Sequence, residues 1–420
     1  PLIAQNSDYQ AQYREKVLEY NQDLKAAGYN EAMKQEMIKS ARADFKPKLS
    51  AGGNFNYTGN PLELSIDLPS MSSPLYFQGK DLKYGATLSL SQPIYTGGGL
   101  RANYQKAKQE KELASNESNR IKSNTLHDAD IYYWNAVAQH ELVFVAQAFR
   151  TSIQQLVDVV HHRVEVEYID RNDLLMAEVK LNDADLQLLQ TRDNAEIARL
   201  ALNSFAGVNP SDTLPIDHSV IALKQFIPLS DEIDNAITSR PEYRIAQNKI
   251  ELQESSRKIA DARFLPQFHI GVDGSYSSPG YNFKSELDPN YAIYAKLSIP
   301  LFEWGKRKSN RNASSYAIHM AQQNLSKAQD KIRLEIQTAH YNYKQAIDKV
   351  KLTESSLSKA SESEQMAMER YKEGNVSIVE VINAQLYHQQ AQVNYIQSKL
   401  NAQMAKTDFE RAIYYLREKE

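Results

Sequence analysis

The chain has 420 residues, with 49 Lys and Arg against 52 Asp and Glu, nine His and no Cys. A net charge of −3 gives no basic surface for nucleic acid and no acidic tail. The missing thiols exclude disulfide frameworks, thiolate nucleophiles and cysteine metal sites, and they fit an oxidising periplasm or outer membrane.

Length allows two or three domains, but only 15 Gly and 14 Pro occur, clustered in a way that favours a few very long elements. Pro1-Leu2-Ile3-Ala4-Gln5 is compatible with the tail of a processed signal peptide. A helix is predicted over Tyr9–Ala43. Strict alternation follows, with Leu49, Ala51, Gly53, Phe55 and Tyr57 opposing Ser50, Gly52, Asn54, Asn56 and Thr58. Asn60–Lys80, long and rich in Pro and Ser, reads as a loop. A second alternating run places Tyr84, Ala86, Leu88 and Leu90 opposite Lys83, Gly85, Thr87 and Ser89. Pro93 ends this run and Gly97-Gly98-Gly99 lets the backbone turn sharply. A helix without proline then runs from Leu100 to Glu167, about 100 Å at 1.5 Å per residue. After a turn at Tyr168–Asn172, the positions Ala177, Leu181, Ala184, Leu188, Thr191, Ala195, Ala198, Leu202 and Phe205 step by fours and threes. That seven-residue repeat favours left-handed supercoiling, and its Ala-rich seam permits close helix approach.

The second half repeats the first. Ala43, Phe45, Pro47, Gly52 and Tyr57 recur as Ala262, Phe264, Pro266, Gly271 and Tyr276, an offset of 219 (43 to 262). Pro93-Ile94-Tyr95 recurs as Pro300-Leu301-Phe302, an offset of 207 (93 to 300). One deletion of 12 residues between the strands of the second copy accounts for both offsets. The chain therefore divides into a first repeat over residues 9–207, a linker over 208–230 and a second repeat over 231–418. In the second repeat Phe268, Ile270, Val272 and Tyr276 oppose His269, Asp273 and Ser275, and Tyr291, Ile293, Ala295, Leu297 and Ile299 oppose Tyr294, Lys296 and Ser298. Ser277–Pro289 is the loop between these strands. Pro300 and Gly305 mark the passage to a second long helix, Lys306–Lys372, followed by a tip at Gly374–Ser377. The seam returns as Ala384, His388, Ala391, Tyr395, Ser398, Ala402, Ala405, Phe409 and Ala412.

No apolar run approaches the roughly 20 residues of a transmembrane helix. Strands that alternate over about 10 residues with aromatic ends fit a transmembrane β-barrel. A soluble antiparallel sheet packed on helices alternates in the same way. Four strands cannot close a barrel, lipid forbids an open edge, and closure takes about 8 strands or more. The membrane reading thus requires several copies, and three would supply 12 strands. The long helices alone are equally those of a coiled-coil spacer.

Pro93–Arg101 (PIYTGGGLR) and Pro300–Arg307 (PLFEWGKR) resemble the strand-to-helix signature of TolC-type outer-membrane factors. Arg370-Tyr371-Lys372-Glu373-Gly374, continued by Glu380-Val381-Ile382-Asn383-Ala384-Gln385, is similar to that family's turn between the long helices of the second repeat. Arg240-Pro241-Glu242 with Phe264-Leu265-Pro266 resembles the opening of that repeat. The resemblance covers about Tyr9 to Leu416. It implies a mainly α protein with β: a homotrimer with a shared 12-stranded outer-membrane barrel above a periplasmic α-helical barrel. It also implies a periplasmic adaptor (membrane fusion) protein, an inner-membrane transporter and outer-membrane lipid as partners. The expected role is the exit channel of a tripartite efflux pump or type I secretion system in a Gram-negative bacterium, passing drugs, metals or exported proteins. The family's acidic aperture residues fall on Glu380 and Asn383, with Asp173 at the equivalent point of the first copy. Its interhelix tip links fall on Tyr371 and Asp173, while Val376 stands where a basic partner is usual. Glu167 stands where the turn usually has glycine. Adaptor docking would use the tips: Glu167, Tyr168, Ile169 and Asp170, with Gly374, Asn375, Val376 and Ser377.

Catalytic signatures are missing: no HExxH, GxSxG or GxGxxG occurs, and Gly97-Gly98-Gly99 is not followed by the Gly-Lys-Ser/Thr of a phosphate loop. His161-His162 is the one local histidine pair, and adjacent helical residues point about 100° apart, so the pair alone holds no ion. No catalytic residue, metal site or cofactor is expected. The alternative to a channel is a structural periplasmic adaptor or spacer with a soluble sheet.

Overall fold

The computed structural model describes residues 9–225, 233–281 and 284–414. Pro1–Gln5, the last part of the expected linker, the start of the second repeat at Asp231, part of the Ser277–Pro289 loop and the last residues of the second repeat lie outside them. The helix expected over Tyr9–Ala43 is two helices, α1 (Tyr9–Tyr20) and α2 (Gln22–Ala43). The break has a local cause. Asn21 accepts a hydrogen bond from the Leu24 N–H through Oδ1 at 2.9 Å, acting as N-cap of the second helix.

The strands β1 (Lys48–Tyr57), β4 (Leu82–Thr96), β5 (Gln267–Ser278) and β6 (Asp288–Ser298) form one antiparallel sheet in the order β1-β4-β5-β6. The Asn60–Lys80 segment is more than a loop, because β2 (Glu63–Ile66) and β3 (Leu75–Gln78) pair within it. This small ladder lies where the second copy has its deletion. Register sorts the large sheet into two chemical faces. Leu49–Leu90–Val272–Ile293 and Ala51–Leu88–Gly274–Tyr291 are rows of direct partners on one face. Ser50–Ser89–Asp273–Ala292 and Gly52–Thr87–Ser275–Asn290 are rows on the other. The apolar rows stay uncovered in the single chain, with Leu49 66% and Ile293 77% exposed. On the polar face the Tyr294 ring lies over Gly271, where a Cβ would meet it at 2.4 Å.

Pro93 does not end its strand. The ladder continues to Thr96 through a register shift between Pro93 and Tyr95, the irregularity that a residue without an N–H imposes. The chain then turns at Gly97 (φ +62°) and Gly98 (φ +82°), and Gly99 begins α3. In the second copy Pro300 follows the end of β6, and Trp304 (φ +47°) and Gly305 (φ +79°) make the turn.

α3 (Gly99–Glu165) and α7 (Lys306–Lys372) have 67 residues each, and α4 (Arg171–Phe205) and α8 (Ile378–Ala412) have 35 each. The duplication is thus preserved to the residue in these four long helices. Every expected seam position of α4 and α8 is buried or half-buried. The two helices differ around that seam. α8 also buries Val381, Ile382, Ile396, Leu400 and several polar residues, whereas α4 exposes Leu175, Val179, Leu186, Leu189 and Ile197. The second repeat opens with α5 (Ile233–Ser239) and α6 (Pro241–Ala262).

Two compact units emerge, and each draws on both repeats. One comprises residues up to Tyr29, Ser115–Ile245 and Leu325 onward; the other comprises Asn30–Ala114 and Ala246–Asn324. In the first, the described part of the linker has no helix or strand but is pinned by side chains. Tyr133 donates to Asp217 at 2.8 Å, Val220 N–H donates to Glu141 at 2.8 Å, and Lys399 meets the same Glu141 at 2.6 Å. The second unit holds the sheet and the strand-to-helix turns. There a Cβ on Gly97 would sit 2.6 Å from the Ala262 carbonyl oxygen, whereas one on Gly98 would meet nothing within 4 Å.

Gly98→Ala therefore costs only the left-handed backbone, about 1–2 kcal/mol, and Gly97→Ala adds a backbone collision. Thermal melting in detergent, followed by circular dichroism, is expected to place Gly97→Ala clearly below Gly98→Ala. Coincident midpoints would show that the close approach to Ala262 is dispensable.

Candidate functional site

The two tips are built by the same backbone device. At the end of α3 the Tyr168 N–H donates to the Arg163 carbonyl at 2.9 Å, and the Glu167 N–H to the Val164 carbonyl at 3.0 Å. At the end of α7 the Asn375 N–H donates to Arg370 and the Gly374 N–H to Tyr371, both at 2.9 Å. This crossed pair satisfies two orphan carbonyls and requires a left-handed residue. Gly374 meets that requirement at φ +82°, and Glu167 adopts φ +56°. The next helices start alike, yet Asp170 caps α4 by accepting from the Asn172 N–H at 2.8 Å, while Ser377 makes no side-chain cap bond.

Behind the turns lies an apolar cluster of Leu156, Val160, Ala177, Tyr371, Ile378, Val381 and Ile382, with Ile169, Leu174 and Val376 packed on it. Val376, which the resemblance places where a basic partner is usual, thus contributes packing. Tyr371 is 3% exposed. Burial pushes its hydroxyl above the ordinary value; Arg163 works against this and Asp173 with it. The basic group at the tip is Arg163, which sequence reasoning missed. Its guanidinium lies 4.7 Å from the Tyr371 ring centroid and 5.4 Å from that of Tyr168, and it donates to the Lys372 carbonyl at 2.8 Å. Arg163 of α3 therefore holds the last turn of α7, where a cation also suits the helix dipole. Arg163 and Lys372 are 209 positions apart, and no local pattern announces the contact.

Glu380 and Asn383 share one exposed face of α8. With Tyr387 of α8 and Lys359, Glu362, Met366 and Arg370 of α7 they line an open groove of about 510 Å³. Asp173 is not among its lining residues; it lies instead in the first turn of α4, and its charge acts on Tyr371. The expected Tyr371–Asp173 link is not a hydrogen bond, because the Tyr371 hydroxyl is buried without a hydrogen-bond partner among the described residues. Glu380 and Asn383 share the groove without Asp173. Glu165, a further tip residue missed in the sequence, lies between His161 (3.4 Å) and His162 (3.2 Å). The three donor groups come within 4.8 Å of one another, all exposed, and are the one candidate metal cluster among the described residues.

With this geometry in place, comparison with known proteins gives the class. The profile of the outer membrane efflux protein family matches residues 14–208 and 233–413, one match per repeat. The chain belongs to this family, which assigns it to the outer membrane with a part in the periplasm. It is 24% identical over 298 residues to the solvent efflux pump outer membrane protein SrpC of Pseudomonas putida, covering 70% of this chain and 61% of that relative. Among solved structures it is similar to CusC, with a TM-score of 0.82 at 16% identity, covering 97% of this chain and 92% of that one. The Campylobacter jejuni CmeC outer membrane channel matches with a TM-score of 0.79 at 19% identity, covering 97% and 85%. At these identities the structural matches establish a shared TolC-like fold.

The unequal chemistry of two equal turns is testable. Glu167→Gly is expected to stabilise the first tip by about 1 kcal/mol, since glycine removes the left-handed penalty. Gly374→Ala should destabilise the second by at least that much, because its Cβ would also meet the Tyr168 hydroxyl at 3.0 Å. Hydrogen exchange at the turn amides of Tyr168 and Asn375 should slow in the first variant and quicken in the second. The same direction in both would refute the assignment.

Proposed function

We propose that three copies of this chain form an outer-membrane exit channel. The observation that carries this reading is a four-stranded amphipathic sheet whose outer strands, β1 and β6, each have a single partner. Its apolar face is exposed, and in hydrocarbon the open edges need strands from other chains. The apolar stripe of α4 (Leu175, Val179, Leu186, Leu189, Ile197) is a second unfilled surface that a neighbouring copy would cover. Twelve shared strands would cross the membrane and the long helices would line a periplasmic conduit. Solvents, drugs, metals or exported proteins are the substrate classes. A periplasmic adaptor and an inner-membrane transporter are the partners, docking at the tips through Glu167–Asp170 and Gly374–Ser377. In this reading Arg163, Tyr371 and Asp173 hold the tips closed, the strand-to-helix turns at Pro93–Gly99 and Pro300–Gly305 join barrel to conduit, and no step is catalytic.

Mass measurement on the detergent-solubilised protein is expected to return three chains. A monomer or dimer as the main conducting species would remove the basis for a shared barrel.

In the closed tip Glu380 faces the axis, and three copies make an acidic ring beside the cations Arg370 and Lys359 of the same groove. Like charges at a narrow aperture concentrate cations. Glu380→Gln should then lower cation preference in bilayer recordings and weaken block by multivalent cations. Both effects should shrink at high salt. An intact trimer with unaltered selectivity would leave Glu380 as an ordinary first-turn acid.

A further inference from the structure

Both helices that leave the sheet begin in basic stretches free of acid. From Trp304 to Gln329 there is no Asp or Glu, while Lys306, Arg307, Lys308 and Arg311 fill the first two turns of α7. In the first repeat Arg101, Lys106 and Lys108 precede Glu110, the first acid of α3. The start of a helix favours negative side chains, so these cations oppose the macrodipole and cost stability unless an anion meets them. Lys306 reaches Glu303 at 3.7 Å. Arg307, Lys308 and Arg311 are exposed and make no ion pair among the described residues.

Next to these cations stand the two most exposed large apolar side chains of the described residues, Leu301 at 92% and Trp304 at 90%, with the exposed Phe302 between them in the chain. The Phe302 and Trp304 rings meet edge to face at 4.9 Å. All three follow β6, which ends at Ser298. Exposed aromatic rings at the end of an amphipathic strand, then unpaired cations, match the chemistry of a membrane boundary: rings at the headgroup level, cations against phosphate.

We infer that the start of α7 binds the headgroups of anionic phospholipids in the leaflet on the helix side of the sheet. Phe302 and Trp304 seat in the interfacial layer, and Arg307, Lys308 and Arg311 pair with phosphate oxygens, which guanidinium engages in bidentate fashion. This inference rests on the membrane-spanning reading of the sheet. The acid-free start of α3 extends the same field in the first repeat.

The chain supplies its own reporter, because it has two tryptophans and Trp134 is buried at 4% exposure. The full-length protein would be reconstituted into phosphatidylcholine bilayers containing brominated phosphatidylglycerol or, separately, the same fraction of brominated phosphatidylcholine. Quenching of Trp304 fluorescence is expected to be about twofold or more greater with the anionic quencher, since each basic residue near a surface enriches anionic lipid several-fold. The excess should disappear at high salt. It should also disappear in a variant carrying Arg307→Gln, Lys308→Gln and Arg311→Gln, while quenching by brominated phosphatidylcholine remains. The salt arm uses the unaltered protein, so it decides the matter even if that variant fails to assemble. Equal quenching by both lipids overturns the headgroup site and leaves the channel reading standing. No quenching by either overturns the membrane placement itself, and the headgroup site with it.

Discussion

In hydrocarbon no water is present to pair with an exposed peptide group, so every backbone N–H and C=O must find its partner within protein. The sheet of this chain meets that demand internally between β1, β4, β5 and β6 and leaves it unmet along two outer edges. Those edges belong to different strands, so a neighbour would join β6 of one copy to β1 of the next. Such head-to-tail contacts close into a ring when the rotation allows it. The helices carry the same incompleteness: α8 buries most of its apolar residues and exposes the face of Glu380 and Asn383, whereas α4 keeps one apolar stripe covered and another bare. A single chain thus leaves unpartnered surfaces in both its sheet and its helices.

The duplication shows how one backbone plan accommodates divergent side chains. Two helices of 67 residues and two of 35 give the repeats one frame, and the turns reuse the same pair of crossed hydrogen bonds. Within that frame the first tip tolerates a strained Glu167 but has the better N-cap in Asp170. The second tip has the unstrained Gly374 but an idle Ser377. Each turn forgoes one contribution of about 1 kcal/mol while keeping the other. Arg163 then links the two by binding the end of α7, so the tips are stabilised as a pair.

Elements governed by long-range periodicity were legible in the sequence. Proline-free runs gave the long helices to within two residues, and alternation gave both faces of the sheet in register. Short-range exceptions were not legible. Glu63–Ile66 and Leu75–Gln78 are four-residue strands within a tract dense in Pro, Ser and Gly, where their alternation is too brief to read. Asn21 interrupts a helical pattern that its neighbours otherwise sustain, and the cap it forms appears only as a hydrogen bond. Pro93 looked like a strand end because proline removes a ladder donor, but a bulge absorbed the loss. At the tip, resemblance pointed to Asp173 and Tyr371, whereas the contact of Arg163 with the end of α7 was hidden by its distance along the chain. Glu165 went unnoticed beside His161 and His162 because the histidines were weighed as a pair, without the residue one turn on.

The composition of the seams bears on where a gate in such an assembly would reside. The small seam residues Ala177, Ala184, Ala198, Ser398 and Ala402 bring backbones close and each gains far less than a buried Leu, while Leu188, Leu202 and Phe409 bury large side chains along the same seams. Small side chains interlock weakly, whereas Leu202 and Phe409 are large knobs that must leave their holes before the helices can shift there. The tip has a cluster of its own: Leu156, Val160, Ile378, Val381 and Ile382 pack around a buried Tyr371, with Arg163 over its ring. If the tips open as proposed, that cluster must come apart first. A handful of apolar contacts and one guanidinium would set the threshold at the tip, and a shift that reached Leu202 or Phe409 would add to it.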